Sequence, residues 1–341
     1  TSITFGSEYV FNSSGSGHIS ISFDSNTAGK FVIAYQDVGN SSYGTAIVGT
    51  VSGTSITFGS EYVFNSGVTY YNSIAFDPNT AGKFVVAYRD FGNSNYGTAI
   101  VGTVSGTSIS FGSEYVFNAA TTYYNINIAY DASYNSFVIS YRDGVNGAKV
   151  TIIAGTVSGT TLTFGTSAQV STSNIDEHRM SLSGGKAIAV LRDGTNSNYG
   201  TYAVITVSGT SVTVEPTVVF QSSYSTRPGV EFIPESSSEF AIYFHDNNSS
   251  GRCAIYPGTL SGTTLSLGTK AFVSTGAWYY NSLAFDSNNI GKFAVVGMNN
   301  SNSSYGTAVI GQMGVTSTNL TANNFLGTSD AAVSDTATGT I

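Results

Sequence analysis

The sequence predicts an all-β protein, a six-bladed β-propeller of four-stranded antiparallel blades, from three observations. First, the opening segment TSITFGSEYVFN recurs intact at Thr54 and almost intact at Thr107. Second, weaker copies complete six units spaced 53, 53, 53, 50 and 53 residues apart, which begin at Thr1, Thr54, Thr107, Thr160, Thr210 and Thr263. Third, Gly-, Asn- and Asp-rich turns divide each unit into four short apolar runs. A period near 50 residues also fits a linear β-solenoid, which is the alternative fold.

The second copy shows the strands expected in one unit. Its four apolar runs are residues 55–64, 73–76, 83–88 and 98–103. The third and fourth of these are apolar on both alternating faces, which is typical of a strand covered by neighbouring sheets on both sides. The run at 55–64 alternates apolar Ile56 and Phe58 with polar residues, so we expect it to be the half-exposed outer strand of a blade.

This strand order predicts how the ring closes. The chain begins with an outer strand and ends, near Gly311, with a blade that lacks one. We therefore expect residues 1–12 to pair with the last blade, which removes the open sheet edge. Residues 1–315 would form one domain, and residues 316–341 a linker or the start of a following β domain. Because Thr1 replaces an initiator Met, we expect an internal segment of a longer protein.

Composition narrows the possible partners. Only 9% of the residues are charged, the net charge is −8 and the pI is near 4.7. Nucleic acids and anionic membranes both need a basic face, so neither is an expected partner. No apolar run is long enough to insert into a bilayer. Cys253 is the only cysteine, which excludes an intrachain disulfide.

One end of the blades collects the arginines and histidines. We name it the upper face: it comprises the connections from each outer strand to the next inner strand, and the ends of the second strands. The first set is residues 15–18, 69–72, 122–125, 176–179, 224–227 and 278–281, and the second is residues 36–37, 89–90, 142–143, 192–193, 245–246 and 298–299. In or beside these sets lie Arg89, Arg142, Arg179, Arg192, Arg227, Arg252, His18, His178 and His245. The opposite end, the lower face, carries Lys30, Lys83, Lys186 and Lys292.

Guanidinium groups beside aromatic rings suit flat polar ligands. Arginine makes paired hydrogen bonds to carboxylate or sulfate, and rings stack on the C–H faces of sugars. The upper face therefore predicts a site for acidic or neutral glycans, at Tyr70, Tyr71, Asn72, Arg89, Tyr123, Tyr124, Asn125, Arg142, Arg179, Arg192, His245, Trp278, Tyr279 and Tyr280. Trp278, the only tryptophan, and the segment 176–179 depart from the repeat, so blade construction does not explain them.

The recurring residues also have a structural interpretation. Each Arg-Asp pair at a strand end could belong to a ladder of salt bridges between blades, with the aspartate capping the following turn. The first tyrosine of each Tyr-Tyr-Asn segment could pack between blades.

Catalytic and metal sites have weaker support. A sialidase-like hydrolase is the enzymatic alternative, with Arg89, Arg142 and Arg192 as the cluster and Glu177 nearby. The Ser-x-Asp-x-Gly-x-x-Trp boxes of such enzymes are missing, so we expect no enzyme. The loops at Asp24, Asp77 and Asp286 carry one carboxylate each, where calcium loops use three or more. We therefore expect neither a metal nor another cofactor.

Three segments carry a family resemblance: DPNTAGKFVVAYRD at 77–90, GNSNYGTAIVGTVSGTSISFGSEYVFN at 92–118 and LTANNFLGTSDAAVSD at 320–335. They resemble the repeat-bearing tail-fibre and adhesin-like proteins of marine phages, including cyanophages. The resemblance implies a non-enzymatic fibre segment at the virion surface, in an extracellular setting. Its implied partners are a host surface glycan or receptor, neighbouring virion proteins, and further copies in a homotrimer. A purely structural spacer of the fibre is the alternative.

Overall fold

A computed structural model describes residues 6–171, 175–234, 236–287, 289–301 and 303–314. The fold is all-β, as the sequence predicts, and all its strand pairs are antiparallel. The first three units comprise β1 Ser16–Phe23, β2 Lys30–Asp37, β3 Tyr43–Ser52, β4 Ser55–Phe76, β5 Lys83–Asp90, β6 Tyr96–Ser105, β7 Ser108–Thr121, β8 Asn127–Asp131, β9 Ser136–Asp143, β10 Lys149–Ser158, β11 Thr161–Phe164 and β12 Ala168–Gln169. Short 3-10 helices lie at Val38–Asn40 and Asn247–Ser249.

The last three units repeat this arrangement. They comprise β13 Ile175–Ser183, β14 Lys186–Asp193, β15 Tyr199–Ser208, β16 Ser211–Val214, β17 Val218–Phe232, β18 Glu239–Asp246, β19 Arg252–Ser261, β20 Thr264–Leu267, β21 Ala271–Phe285, β22 Lys292–Asn299 and β23 Tyr305–Gln312. Within the described residues, no helix is long and apolar enough to cross a membrane.

Three connections that the sequence predicts as loops, each from an outer strand to the next inner strand, are strands. β4 runs without interruption from the outer strand at residues 55–64, which pairs with β3, to the inner strand at residues 73–76, which pairs with β5. β17 and β21 make the same kind of connection later in the chain. A bulge makes this possible: Tyr70 pairs with Arg89 and Ser73 with Ala87, which leaves two residues outside the ladder. Tyr71, inside the bulge, has φ +56°. Such a bulge bends the strand sharply enough to pass from one sheet to the next.

Consecutive units pack through both faces of their middle strands. On β5, Phe84 and Val86 join the core shared with the first unit, and Val85 and Ala87 join the core shared with the third. All four are at most 1% exposed, which confirms that these strands are covered on both sides. The inner strands add a repeated hydrogen bond, from the backbone N–H of Ile74 to Ser20 Oγ, of Ile128 to Ser73 Oγ and of Phe232 to Ser181 Oγ.

The predicted closing strand is not observed. Residues 6–12 lie outside any strand, and residues 1–5 and 315–341 fall outside the described residues. In the first and last units, the sheet face that no neighbouring unit covers is correspondingly exposed to solvent. Ile21 and Phe23 are 54% and 56% exposed, whereas their counterparts Ile74 and Phe76 are 6% exposed, and Val296 in the last unit is 47% exposed. Closure of the ring therefore stays a proposal.

Candidate functional site

A cavity of ≈ 700 Å³ opens on the upper face, where residues from five of the six units converge. Six of the residues predicted from the sequence line it, namely Tyr71, Tyr124, Asn125, Arg142, Arg179 and Tyr280. The remaining lining residues are Glu177, His178, Arg227, Pro228, Tyr243, Asn281 and Ser282. The ≈ 700 Å³ cavity therefore lies on the upper face.

The bulges build this cavity. In five units one residue of this connection has a positive φ, between +49° and +62°: His18, Tyr71, Arg227 and Tyr280 lie inside bulges, and Asn125 lies between the bridge Thr122–Asp143 and β8. Residues other than glycine rarely adopt this backbone conformation, which costs on the order of 1 to 3 kcal/mol and persists only where the surroundings enforce it. Here each bulge takes two residues out of the strand ladder, and the side chains of Tyr71, Arg227 and Tyr280 line the cavity.

Aromatic rings form part of the wall. The ring of Tyr71 meets Tyr124 edge to face, with centroids 5.4 Å apart, and meets His18 at 4.7 Å. Tyr124 is 52% exposed and Tyr280, in another unit, is 67% exposed. Two rings of the lining therefore keep large areas accessible to a ligand.

Three arginines reach the cavity from three different units. Arg142 is only 5% exposed, donates from Nε to the carbonyl of Ala148 at 3.3 Å and lies 5.7 Å from the ring centroid of Tyr124. Arg227 lies 4.2 Å above the ring of Tyr280. Arg179 is exposed and donates from Nη1 to the carbonyl of His178 at 3.0 Å. Among the described residues, no carboxylate forms an ion pair with Arg179 or Arg227.

Among the described residues that line the cavity, cationic side chains outnumber anionic ones. Its carboxylate, Glu177, accepts the backbone N–H of Arg227 and lies 3.8 Å from Arg192 Nε. His178 is fully buried, and burial lowers its pKa to about 3, helped by the charges of Arg179 and Arg142. The imidazole is therefore neutral at physiological pH. Three guanidinium groups and one carboxylate remain among the described lining residues, in a chain of net charge −8.

Other residues predicted from the sequence support the lining without joining it. Arg89 donates from Nε to Asn95 Oδ1 at 2.7 Å and lies 5.5 Å from the ring of Tyr70. His245 Nδ1 lies 2.9 Å from Thr226 Oγ1, and its ring contacts Tyr279. Tyr123 lies beside Arg142, and Arg192 beside Glu177.

Asn72 belongs to a smaller cavity of ≈ 260 Å³, which also borders His18, Asn127 and Arg179. It is 6% exposed, and neither atom of its amide has a hydrogen-bond partner among the described residues. Asn72 therefore lies deeper than the exposed part of the site.

Trp278 is not a ligand-binding ring, so that prediction is wrong. The indole is 1% exposed and packs in the core with Cys253 and Leu283. The reason is a change in side-chain size: Gly297 occupies the place that Tyr88 has in the second unit, and Trp278 occupies the place of Thr69. A Cβ at Gly297 would lie 3.0 Å from Trp278 Cε3, so the indole fills the volume that the tyrosine ring fills elsewhere.

The Arg-Asp pairs follow the structural interpretation in part. The aspartates at the strand ends accept backbone N–H groups of the next turn, at Asp37, Asp90, Asp143, Asp193 and Asp246. This confirms their role as turn caps. Arg89, however, bonds the side chain of Asn95 in its own unit and forms no ion pair with the carboxylates of the described residues. A ladder of salt bridges between units is therefore not what holds it.

Several lining residues were not among the predicted site residues. Arg227 takes the bulge position that Tyr71 has in the second unit, so its departure from the repeat was a usable signal. Tyr243 takes the place of the small Ala87, and Gly229 makes room for it, since a Cβ there would lie 2.1 Å from Tyr243 Cζ. Such a paired change emerges only once the strand register is known.

No metal site is found in the part of the chain that the structure describes, where no three His, Cys, Asp or Glu side chains cluster. The predicted turns at Asp24 and Asp77 are Asx turns, in which Oδ1 accepts the backbone N–H of Asn26 at 2.9 Å and of Asn79 at 2.8 Å.

No family model and no curated protein matches this chain. Solved structures similar to it include the BP39L lectin of Burkholderia pseudomallei, with a TM-score of 0.62, 7% identity and coverage of 86% of this chain and 81% of that one. AofleA of Arthrobotrys oligospora has a TM-score of 0.55, 8% identity and coverage of 88% and 84%. Sqt1 of Chaetomium thermophilum has a TM-score of 0.51, 12% identity and coverage of 85% and 71%. At these identities the similarity establishes a shared all-β fold.

Proposed function

We propose that this chain is a non-enzymatic carbohydrate-binding module whose ligand enters the upper-face cavity. The observation that carries the proposal is the lining itself, in which the exposed rings of Tyr124 and Tyr280 flank guanidinium groups. Tyrosine rings offer flat faces to sugar C–H groups, while arginine donates to sugar oxygens in a fixed planar geometry.

Two further observations support binding rather than hydrolysis. The overall fold resembles a structure described as a lectin, although at 7% identity. Most glycoside hydrolases use two carboxyl groups on opposite sides of the scissile bond. Glu177 is the carboxylate among the described lining residues, and its Oε2 already accepts the backbone N–H of Arg227.

The proposed setting is the surface of a phage tail fibre or another virion appendage, where the cavity would meet a host glycan or receptor. This rests on the resemblance of the repeats to marine-phage fibre proteins. In such a fibre, flanking domains would provide the trimer and the contacts with neighbouring virion proteins.

The closed six-bladed ring belongs to the same proposal. Phe11 contacts Tyr35 and Phe58, with ring centroids 5.1 and 6.2 Å apart. One repeat later, Phe64 contacts Tyr88 and Phe111 at 5.1 and 5.9 Å. Residues near Phe11 thus occupy, against the first unit, the place of an outer strand from a preceding blade.

The uncovered faces of the first and last units support closure as well. The glycine at the start of the third strand is covered by an outer-strand phenylalanine in the first two units, Gly44 by Phe64 and Gly97 by Phe117. Their counterpart Gly306 has open space around it. Closure would bring Phe11 to this glycine and bury Ile21 and Phe23.

Spin-label distances can test closure, because the same turn recurs in the first, second and sixth units, where it ends in Gly-Lys. Labels at A28C and A81C report the spacing of two neighbouring units, and labels at A28C and I290C report the first and last. All three positions are exposed, and burial raises the pKa of the Cys253 thiol to about 12, which keeps it unreactive. A closed ring gives similar distances for both pairs; a clearly longer distance for the second pair would refute closure.

Binding to a panel of bacterial surface polysaccharides and to whole marine bacteria tests the function. The variant Y124A/Y280A is expected to bind at least about tenfold more weakly, because it loses two stacking faces. The lower-face variant K83A/K292A is the matched control and is expected to bind like the parent. Absence of binding by the parent protein would refute the proposal and leave the structural spacer.

A further inference from the structure

We propose, on the basis of the proposed carbohydrate-binding function, that the ligand is an acidic saccharide whose carboxylate or sulfate group lies between Arg179 and Arg227, with Arg142 beneath. The three arginines come from the third, fourth and fifth units and line one cavity. A neutral sugar would use the tyrosines but provide no counter-charge for Arg179 and Arg227, which form no ion pair with a described carboxylate.

The first argument is the lack of an anion for two of these cations. No described carboxylate forms an ion pair with Arg179 or Arg227. Lys270, by comparison, pairs with Asp246 at 2.9 Å. Gathering several like charges in a partly enclosed space is unfavourable unless an opposite charge binds there. The cluster is therefore a preformed site for an anion.

The second argument concerns Glu177, the carboxylate of the lining. Its Oε2 accepts the backbone N–H of Arg227 and faces Arg192, which lies outside the cavity lining. Glu177 thus helps to fix the strained bulge at Arg227 and forms no ion pair with Arg179 or Arg227. The Arg227 guanidinium lies 4.2 Å from the ring centroid of Tyr280.

The third argument is the contrast with the rest of the molecule. At a net charge of −8, the protein as a whole repels anions, so a local positive cavity is the feature that would admit one. His178 does not contribute charge, because its pKa is lowered to about 3 by burial and by the neighbouring arginines.

Matched pairs of oligosaccharides test this inference. The panel contains uronic-acid, sialic-acid and sulfated oligosaccharides, each beside its carboxyl-reduced or desulfated form, and affinities are measured by calorimetry. The parent protein is expected to bind at least one acidic oligosaccharide about tenfold or more tightly than its neutral partner. The carboxylate and sulfate pairs identify which anion is recognised.

The variant R179Q/R227Q is expected to lose this preference while retaining weak binding of the neutral form through the tyrosines. R252Q is the matched control, since Arg252 donates to the carbonyl of Ser274, stacks on Phe272 and lies outside the cavity lining. Equal affinity of the parent for acidic and neutral partners would overturn the inference and leave the carbohydrate-binding function intact. Absence of binding to every oligosaccharide would overturn both. Thermal melting of each variant separates loss of binding from loss of folding.

Discussion

The two ends of the repeating units use their recurring polar residues differently. On the lower face, Asp24 accepts the backbone N–H of Gly82 in the next unit at 2.9 Å. Lys30 donates to Thr50 Oγ1 and to the carbonyl of Gly106. On the upper face, Arg179 and Arg227 line a cavity and have no carboxylate partner among the described residues. Recurring residues on the lower face thus join neighbouring units, whereas Arg179 and Arg227 on the upper face line a cavity without an ion-pair partner among the described residues.

Replacing Trp278 tests whether a residue at the upper end of the units serves the core or the binding site, because Trp278 lies toward the upper face but packs in the core. We expect W278A to cost about 3 to 5 kcal/mol of unfolding free energy, as for other buried aromatic side chains. Denaturant unfolding followed by circular dichroism measures the loss. A stable W278A protein that no longer binds glycans would instead indicate that Trp278 takes part in ligand binding.

Removing a lower-face contact should destabilise the protein without changing its ligand affinity. D24A leaves the buried N–H of Gly82 without an acceptor and removes the acceptor of Asn26 N–H. The expected cost is about 2 to 3 kcal/mol. S25A, at an exposed position of the same turn, is the control. A loss of glycan affinity in folded D24A would contradict the division between the two faces.

Glu231 on β17 makes a pH-dependent prediction. Burial raises the pKa of its carboxyl group from 4.5 to about 7. The unfolded chain therefore releases this proton first, so the native state loses stability as the pH rises from about 4.5 to 7. E231Q should be more stable than the parent by about 2 kcal/mol at pH 8, with the difference disappearing near pH 4. Parallel stability curves for the two proteins would contradict this assignment.

The smallest effect is expected at Arg89, an upper-face arginine outside the cavity lining. R89A removes the hydrogen bond to Asn95 and the contact with Tyr70, at an expected cost of about 1 kcal/mol. Glycan affinity should change less than about twofold. A large loss of affinity with unchanged stability would extend the binding site to this arginine.

The sequence predicted the all-β class and the residues that share one end of the units, because both follow from the repeat. A period of 53 residues with turn signals determines the strand runs, and strand order determines which residues share an end. The prediction was less successful inside the site. The continuous strand through Tyr71 depends on a backbone bulge, which apolar alternation does not reveal.

Trp278 shows a second limit of sequence reasoning. Its uniqueness suggested a ligand contact, but the indole compensates for Gly297 on a neighbouring strand. That exchange of volume needs the strand register, as does the pairing of Tyr243 with Gly229. Departures from a repeat thus occur at cavity-lining residues such as Arg227 and at compensating core residues alike.

Hydrogen exchange of backbone amides, with and without a bound acidic oligosaccharide, tests the central claim most directly. We expect ligand-dependent protection in peptides covering residues 69–73, 122–127, 176–180, 225–229 and 278–282, which hold the cavity residues. Peptides covering the lower-face turns at residues 24–30 and 77–83 should exchange equally in both states. Protection confined to the lower-face turns, or to the outer strands, would contradict the assignment of the binding site to the upper-face cavity.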